Sequence, residues 1–356
     1  MDYKYQHKVQ KENDVSTRKI ILILTVISGI IVSPVFPKEV IKTGTTAAKF
    51  LNIGIGPRGI AMGGAFTSLA NDASAMYWNP AGVALVDKYQ ILFTQARWIA
   101  DVNVNYMGLV VPLGSLGTLG FNVTALTMND MEVTTEFNPE GTGEKFGAGD
   151  YAFGISFARR LYENFSLGVN LKYIRQDISS SSAQGLAIDI GTLFNTPFWG
   201  VKFASSITNF GTKMQMDGDD LIIQHDPDTQ QGGNNSKLDA KYRTDQFELP
   251  LRLQIGVSRD FMVMEGQRLT IAVDAAHPND NSEFVNAGGE LALFQEMVFL
   301  RGGYKTLWIR NPEEGLTLGA GFQYSKLNFV ELEIDYAFQN YRHLGDIHTF
   351  GFLIKF

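Results

Sequence analysis

The segment Phe50–Leu85, FLNIGIGPRGIAMGGAFTSLANDASAMYWNPAGVAL, decides how the rest of the chain is interpreted. Pro57 suits the first turn of a helix, and small and apolar residues then recur at helical spacing up to Leu69. This pattern predicts a short helix whose surface is mostly Gly and Ala. Because Gly has no side chain and Ala only a methyl group, the backbone of such a helix can pack very close to a neighbouring surface. The segment therefore fits a narrow enclosed space, and the turn at Asn79–Gly82 leads from it into sheet.

The composition excludes several classes of protein. The chain has 356 residues, a formal net charge of −7 and no cysteine. Nucleic-acid-binding domains carry a basic footprint, which this chain lacks. Without cysteine there is no disulfide and no thiolate metal site, and no cofactor is expected. A hydrophobic fraction of 45% is compatible with a membrane barrel, because lipid-facing and lumen-facing positions alternate and cancel in such an average.

The N-terminal region has the pattern of a leader. Arg18-Lys19 precede the apolar run Ile20–Val32, as in the charged and apolar parts of a secretory signal. The run is shorter than the roughly 20 residues that cross a bilayer as a helix, although an uncleaved anchor is the alternative. We predict three parts. A polar extension with a signal segment spans 1–36, a hatch, which is a segment that plugs the barrel from inside, spans 37–86, and a barrel spans 87–356.

The long C-terminal part alternates with a period of two. Leu332 and Ile334 face one side of a predicted strand, and Glu333 and Asp335 face the other. A soluble sandwich alternates as well, but strands of about ten residues are long for globular sheets and suit a tilted crossing of the bilayer. We therefore predict an all-β membrane protein, an antiparallel transmembrane β-barrel of about 14 strands with the helical hatch inside its lumen.

The connections and the last strand agree with this fold. Long polar connections at Met128–Gly147 and Phe210–Gln246 fall on one predicted rim and tight turns on the other, as in outer-membrane barrels. Phe350, Phe352 and Phe356 alternate with polar residues up to the C-terminus, which is typical of a barrel-assembly signal. Charged side chains on the lumen face cost several kcal/mol unless they are paired, so we expect a cross-linked interior. Those charges are Arg252, Arg301, Lys305, Glu331, Glu333 and Asp335.

The hatch segment resembles the leader of outer-membrane barrels of the fatty-acid transporter (FadL) type, and more closely the PorV/PorQ branch. That leader has the form F-L-x-I-G-x-G-x-R-G/A-x-A-M-G-x-A-F, followed by A-x-D-A-S-A-x-Y-W-N-P-A-G-L/V-A. The matching residues are Phe50, Leu51, Ile53, Gly54, Gly56, Arg58, Ala61, Met62, Gly63, Ala65, Phe66, Asp72, Ala73, Tyr77, Trp78, Asn79, Pro80, Ala81 and Gly82. The resemblance covers about a tenth of the chain.

The resemblance implies a function in the bacterial outer membrane. A PorV/PorQ-type barrel binds C-terminal sorting domains of exported cargo, or translocon partners, in type IX-like secretion. A FadL-like barrel instead admits long-chain fatty acids or other hydrophobic small molecules through a hatch-gated lumen. The expected partners are the outer-membrane lipid bilayer and the barrel assembly machinery, with secreted cargo domains and type IX translocon proteins under the first alternative, and no nucleic acid. The hatch motif itself either shapes the plug or contacts a ligand.

Three other patterns point to chemistry only weakly. Gly54, Gly56 and Gly59 form a G-x-G-x-x-G, but no strand precedes it and no βαβ unit follows. An acidic group at Asp217–Asp228 offers oxygen ligands without the spacing of a calcium loop. His277, His343 and His348 have no nucleophile motif beside them. We predict no catalytic residue, no metal site and no enzyme.

Overall fold

The computed structural model describes residues 44–227, 237–309, 312–327 and 330–356. The predicted leader at 1–36 and the start of the predicted hatch at residue 37 lie outside these ranges. Within them, no helix is long and apolar enough to cross a bilayer.

The described residues form a closed barrel of fourteen antiparallel strands. Each strand pairs with its neighbours in the chain, and the first strand pairs with the last, from Gln90 opposite Lys355 to Arg97 opposite His348. Closure leaves no free sheet edge, as a structure in lipid requires. The strands are β1 Gln90–Arg97, β2 Asn103–Pro112, β3 Thr118–Thr127, β4 Ala148–Tyr162, β5 Phe165–Ile178, β6 Ser181–Asn195, β7 Val201–Gly211, β8 Arg252–Met264, β9 Gln267–Pro278, β10 Phe284–Leu293, β11 Val298–Leu307, β12 Glu314–Leu327, β13 Val330–Tyr341 and β14 Gly345–Lys355.

Apolar side chains cover the outside of the barrel. In β4, Phe153, Ile155 and Phe157 are about half exposed on the outer face, whereas Ser156 and Ala158 between and beside them are fully buried. This period-two division follows from the alternation of Cβ directions along a strand, and it confirms the predicted transmembrane barrel.

One predicted strand begins too early. The alternation that includes Leu249 and Leu251 predicts a strand at 247–259, but β8 begins at Arg252. Pro250 interrupts the ladder because it has no N–H to donate. Leu249 instead packs inside the barrel mouth, where it is 3% exposed and belongs to an apolar cluster with Phe50 and Met214.

The two rims of the barrel differ in their connections. The loop rim carries the connections at 98–102, 128–147, 179–180, 212–251, 279–283, 308–313 and 342–344. The turn rim carries short connections such as 113–117, 163–164 and 265–266, together with the C-terminus. The 212–251 connection contains a hairpin that pairs Ile222–His225 with Leu238–Lys241.

The hatch lies inside the lumen and contains two short α-helices, α1 Pro57–Ala61 and α2 Ala75–Trp78. The predicted single helix up to Leu69 is wrong, because the chain reverses at Gly63 and Gly64, which have φ values of 67° and 76°. Glycine adopts this left-handed region without steric cost, so the same small residues that suggested a helix surface here form a turn.

The hatch runs along the lumen from one rim to the other. Near the loop rim, Thr46 forms an isolated parallel bridge with Glu248, and the N–H of Ala47 donates to the Glu248 carbonyl at 2.9 Å. At the other end a 3₁₀ helix, Pro80–Leu85, leads to β1 at the turn rim. The hatch therefore occupies the interior along its length, and its contacts with the wall define the candidate site.

Candidate functional site: a plugged lumen with a cavity on the loop side

Glycines of the wall form the surface on which the hatch backbone rests. A Cβ atom at Gly303 of β11 would lie 2.2 Å from the backbone nitrogen of Gly63, and one at Gly288 of β10 would lie 2.2 Å from the carbonyl oxygen of Met62. On the opposite wall, a Cβ at Gly191 would lie 1.9 Å from the side-chain oxygen of Asn79. Real Cβ atoms do not approach other atoms so closely, so these positions accept only glycine without a shift of the hatch.

Ionic contacts fix the hatch on the turn side of the lumen. Arg58 of α1 donates from Nε to Glu290 of β10 at 3.0 Å, and Arg301 of β11 donates to the same carboxylate at 2.8 Å. Glu290 and Arg301 each expose only 1% of their side chains. Arg58 also donates to the Asn71 side chain at 2.7 Å, and its guanidinium lies 3.7 Å from Asp72.

The ionic network extends from Arg301 to the C-terminal strands. Arg301 also pairs with Asp335 and, at 3.7 Å, with Glu333, which in turn accepts from Lys355 at 3.1 Å. We call the group Arg58, Glu290, Arg301, Glu333, Asp335 and Lys355 the clasp. Each of its three cations has a carboxylate partner, which is the condition for a buried charge to be tolerated.

Arg58 remains charged within the clasp. Burial alone lowers the pKa of Arg58, but the charges of Glu290 and Asp72 outweigh burial and raise its pKa overall. The guanidinium also lies 5.2 Å from the ring centroid of Phe66, in cation–π range. A permanently charged hatch residue is thus anchored by charges of the wall.

Hydrogen bonds fix the hatch at two further points of the wall. The buried Asp274 of β9 accepts from the backbone N–H groups of Phe66 and Thr67, both at 2.9 Å. The side-chain amide of Asn79 donates to the carbonyls of Thr67 at 2.9 Å and Thr192 at 3.1 Å. Its oxygen accepts from the N–H of Ala81, which caps the following 3₁₀ helix.

The other hatch-motif residues set the internal shape of the plug. Trp78 donates to the carbonyl of Ile55 at 2.7 Å, and Gly59 leaves room for its ring, since a Cβ at Gly59 would lie 2.6 Å from the indole nitrogen. A Cβ at Gly82 would collide with the Ala70 carbonyl at 1.9 Å. The remaining positions also serve the structure of the plug. Gly56 has a positive φ of 81°, and Met62 is fully buried. Asp72 accepts from Ser74, and Pro80 packs against Gly168.

The loop side of the lumen is less tightly filled. A cavity of about 230 Å³ lies there between the hatch and strands β8 to β12. Its lining combines aromatic rings with charged groups, namely Tyr77, Trp78 and Phe284 with Lys49, Arg252, Asp280, Lys305 and Glu314. We call this space the loop-side cavity.

Both carboxylates of the loop-side cavity are already paired. Asp280 accepts from Lys49 and, at 2.8 Å, from the Thr46 hydroxyl. Glu314 accepts from Lys305 at 2.8 Å and from the Tyr341 hydroxyl at 2.6 Å. Part of the hydrogen-bonding capacity of both carboxylates is therefore already used by groups of the protein itself.

Arg252 lies over one wall of the same cavity without an ion pair among the described residues. Its guanidinium carbon is 5.8 Å from the ring centroid of Tyr77, and its Nε has no hydrogen-bond partner. The hydroxyl of Tyr77 and the side-chain oxygen of Asn52 are also buried and lack a well-formed hydrogen bond in the described part of the chain, although the Tyr77 hydroxyl lies close to the Arg252 guanidinium. Burial raises the pKa of Tyr77, against the opposing effect of the Arg252 charge, so the phenol is a neutral donor.

The other residues predicted as lumen charges or as the assembly signal lie as follows. Glu331 is near the turn rim and pairs with Lys88 at 2.6 Å. Phe350 and Phe352 point to the outside of the barrel, and Phe356 stacks on Tyr89 with ring centroids 5.7 Å apart. Whether an assembly machinery reads these phenylalanines stays a prediction.

The patterns that pointed weakly to chemistry are not brought together. His277, His343 and His348 contact Glu283, Glu313 and the Tyr336 hydroxyl respectively. In the described part of the chain no three His, Cys, Asp or Glu side chains are arranged to hold a metal. Asp217 pairs with Lys241, and Asp228 lies outside the described residues. The G-x-G-x-x-G glycines belong to the packed hatch, and the described residues 44–53 before them contain no strand.

Sequence reasoning missed the partners that hold the hatch. Glu290 and Asp274 are on the polar face of predicted strands, which was the available signal, but nothing in their spacing connects them with Arg58 or with the Phe66–Thr67 backbone. These contacts span more than 200 residues.

Comparisons with known proteins agree with the barrel. The profile of an uncharacterised protein family, UPF0164, matches residues 36–192. Among curated proteins there is no match. The toluene transporter TodX of Pseudomonas putida is 12% identical, with 85% of this chain and 97% of that chain covered and a TM-score of 0.53. The monoaromatic hydrocarbon channel CymD is 13% identical, with 85% and 97% covered and a TM-score of 0.52. A FadL homologue of Pseudomonas aeruginosa is 13% identical, with 84% and 97% covered and a TM-score of 0.48.

At these identities the likeness to TodX and CymD concerns the fold. The chain has a closed antiparallel β-barrel fold like theirs, and its residues 36–192 are similar to UPF0164 proteins.

Proposed function

We propose that this protein is a hatch-gated channel of the bacterial outer membrane that admits small molecules of limited polarity at its loop rim. The observation that carries the proposal is the loop-side cavity of about 230 Å³, which ends at a hatch closed on its turn side by the clasp. A cavity in a barrel mouth is a common place for a ligand site. The similar folds of a toluene transporter and a monoaromatic hydrocarbon channel support the same class of function.

Passage requires the hatch to move. The glycine contacts leave no space between Met62–Gly63 and strands β10 and β11, and the clasp holds Arg58 on the same side. The channel is thus closed as described, and a solute crosses only after part of the plug leaves the wall. Gating by a plug segment differs from a porin, whose lumen is an open aqueous channel.

The direct test is solute entry into proteoliposomes. Purified protein is reconstituted, and uptake of radiolabelled toluene and hexadecanoate is compared with uptake by protein-free vesicles. We expect protein-dependent uptake of at least one of them, and a higher rate when Arg58→Gln loosens the hatch. Uptake equal to that of empty vesicles for both solutes, in the wild type and in the variant, would refute the channel proposal.

A second candidate function is supported by the charged interior. The clasp cross-links hatch and wall so completely that a permanently plugged scaffold is also consistent with it. In that case the 128–147 and 212–251 connections would bind the C-terminal domain of an exported protein, or a translocon partner, in type IX-like secretion, since loops on a rigid barrel often carry binding.

Affinity purification in mild detergent separates the two candidates. Co-purification of secreted proteins that share a C-terminal β-domain, lost when the 128–147 connection is replaced by a short Gly-Ser turn, would favour the secretion function. Replacing the 113–117 turn of the opposite rim in the same way is the control. Recovery of lipids or small organic molecules alone would favour the channel.

A further inference from the structure

The loop-side cavity has more polar character than a site for a hydrocarbon needs. Five of its lining side chains are charged, and within the described residues three buried polar atoms beside it lack a well-formed hydrogen bond: Arg252 Nε, the Tyr77 hydroxyl and Asn52 Oδ1. A buried donor or acceptor without a partner destabilises the protein, and a charged group does so more strongly. Three such atoms around one cavity indicate a binding site for a polar group rather than a packing defect.

The charge balance of the cavity defines that group. Lys49 is paired with Asp280 and Lys305 with Glu314, which leaves Arg252 as the lining cation without an ion pair among the described residues, although its charge also acts on Glu314. A guanidinium presents a planar fork of donors that matches a carboxylate. The neighbouring Tyr77 hydroxyl is a second donor on the same wall, and its ring lies beneath Arg252.

The rest of the cavity defines the body of the ligand. Tyr77 stands edge-on to Trp78, with ring centroids 5.0 Å apart and an interplanar angle of 86°, and Phe284 contributes a third ring. Rigid rings of this kind bind flat apolar groups. A volume of about 230 Å³ equals the liquid volume of roughly seven or eight waters, so the space suits one small ring and not a long acyl chain.

We infer that the loop-side cavity binds small monocyclic organic acids, with the carboxylate at Arg252 and Tyr77 and the ring among Tyr77, Trp78 and Phe284. This inference rests on the proposed channel for the route of entry, and it narrows the solute class from small molecules of limited polarity to monocyclic organic acids. Benzoate and toluene are the matched pair of probes, because they share the ring and differ in the carboxylate.

Binding to the purified full-length protein in detergent tests the inference. Equilibrium dialysis with radiolabelled benzoate is carried out on the wild type, Arg252→Gln and Arg342→Gln. Arg342 is the control, since it is an exposed arginine of the same rim outside the cavity. We expect Arg252→Gln to weaken benzoate binding by about tenfold to a hundredfold, because a hydrogen-bonded charge pair is lost, and Arg342→Gln to leave it unchanged.

Tyr77→Phe is a second variant that removes one hydroxyl and keeps the ring. It should weaken benzoate binding by roughly two- to tenfold and leave toluene binding as it is. Toluene should bind the wild type more weakly than benzoate and should not respond to Arg252→Gln. Equal binding of toluene and benzoate, no benzoate binding, or benzoate binding that ignores both variants would overturn the inference.

The dialysis result is independent of the uptake result. Toluene uptake into proteoliposomes without benzoate binding would leave the channel in place and remove the acid specificity. Benzoate binding that depends on Arg252, without uptake of any solute, would support the site and remove the channel.

Discussion

The two ends of the lumen enclose the same hatch in different ways. On the turn side the clasp gives each cation a carboxylate, and glycines of β10 and β11 receive the hatch backbone without a gap. On the loop side the hatch leaves the loop-side cavity, beside which Arg252 Nε and the Tyr77 hydroxyl have no partner. One end is thus filled by contacts within the protein, and the other keeps an open space. The difference separates residues that hold the plug from residues that line the cavity.

The largest loss of stability is expected from Glu290→Gln on the turn side of the lumen. The change removes the charge that Arg58 and Arg301 share, at a position where the side chain is 1% exposed. Breaking a buried ion pair at one partner costs about 3–5 kcal/mol, so the guanidinium chloride midpoint of unfolding should fall markedly. Glu331→Gln is the control, because its partner Lys88 is 54% exposed and an exposed pair contributes at most about 1 kcal/mol. Equal losses in the two variants would mean that the clasp does not differ from a surface ion pair.

A smaller but more specific effect is expected from Gly303→Val. The new side chain would meet the backbone of Met62 and Gly63, and overpacking of this kind typically costs about 1–3 kcal/mol. Because β11 is held by hydrogen-bonded ladders on both sides, we expect the hatch to shift instead of the wall, so protease sensitivity of the hatch and ion conductance in planar bilayers should both rise.

Gly302→Val is the matched control for this prediction. Gly302 is the neighbouring residue in β11, but a Cβ there would lie 3.7 Å from the nearest side chain, on the outer face. Its hatch should stay protected. A rise in conductance in both variants would locate the weakness in the wall and not in the contact between wall and hatch.

The smallest effect on stability is expected from Arg252→Gln on the loop side of the lumen. Arg252 has no ion pair to lose among the described residues, and its contact with the Tyr77 ring is worth about 1 kcal/mol or less. The unfolding midpoint should barely change, although the same substitution should weaken benzoate binding. A loss as large as that of Glu290→Gln would show that Arg252 is part of the structural network and that the two ends of the lumen are alike.

Much of the barrel is predictable because lipid and lumen impose a period of two on every strand. The alternation of Leu332 and Ile334 with Glu333 and Asp335 is enough to define β13 and its faces. The prediction fails where another rule competes with the pattern. Leu249 continues the apolar period but is drawn into the mouth of the barrel by Phe50 and Met214, and Gly63 and Gly64 turn the chain where their small size had suggested a helix.

The candidate site is less predictable, because it depends on how deep the hatch lies in the barrel. Arg301 and Asp335 are both identifiable as lumen charges, and they do pair. The residue that joins them to the hatch is Glu290, whose partner Arg58 is 232 positions away. The sequence shows six lumen charges of both signs, but it does not show that Arg252 is the one without an ion pair among the described residues.

The glycines under the hatch also determine the mechanical behaviour of the barrel. Gly288 lies opposite Gly303 and Gly289 opposite Gly302, so two neighbouring strands lack side chains on both faces at the same height. Glycine within a strand weakens it by roughly 0.5–1 kcal/mol per residue relative to alanine. The wall is therefore thinnest and most compliant where Met62 and Gly63 brace it from inside. In the proposed channel, withdrawal of the hatch removes this support, so displacement of the plug would also lower the stiffness of the wall at these glycines.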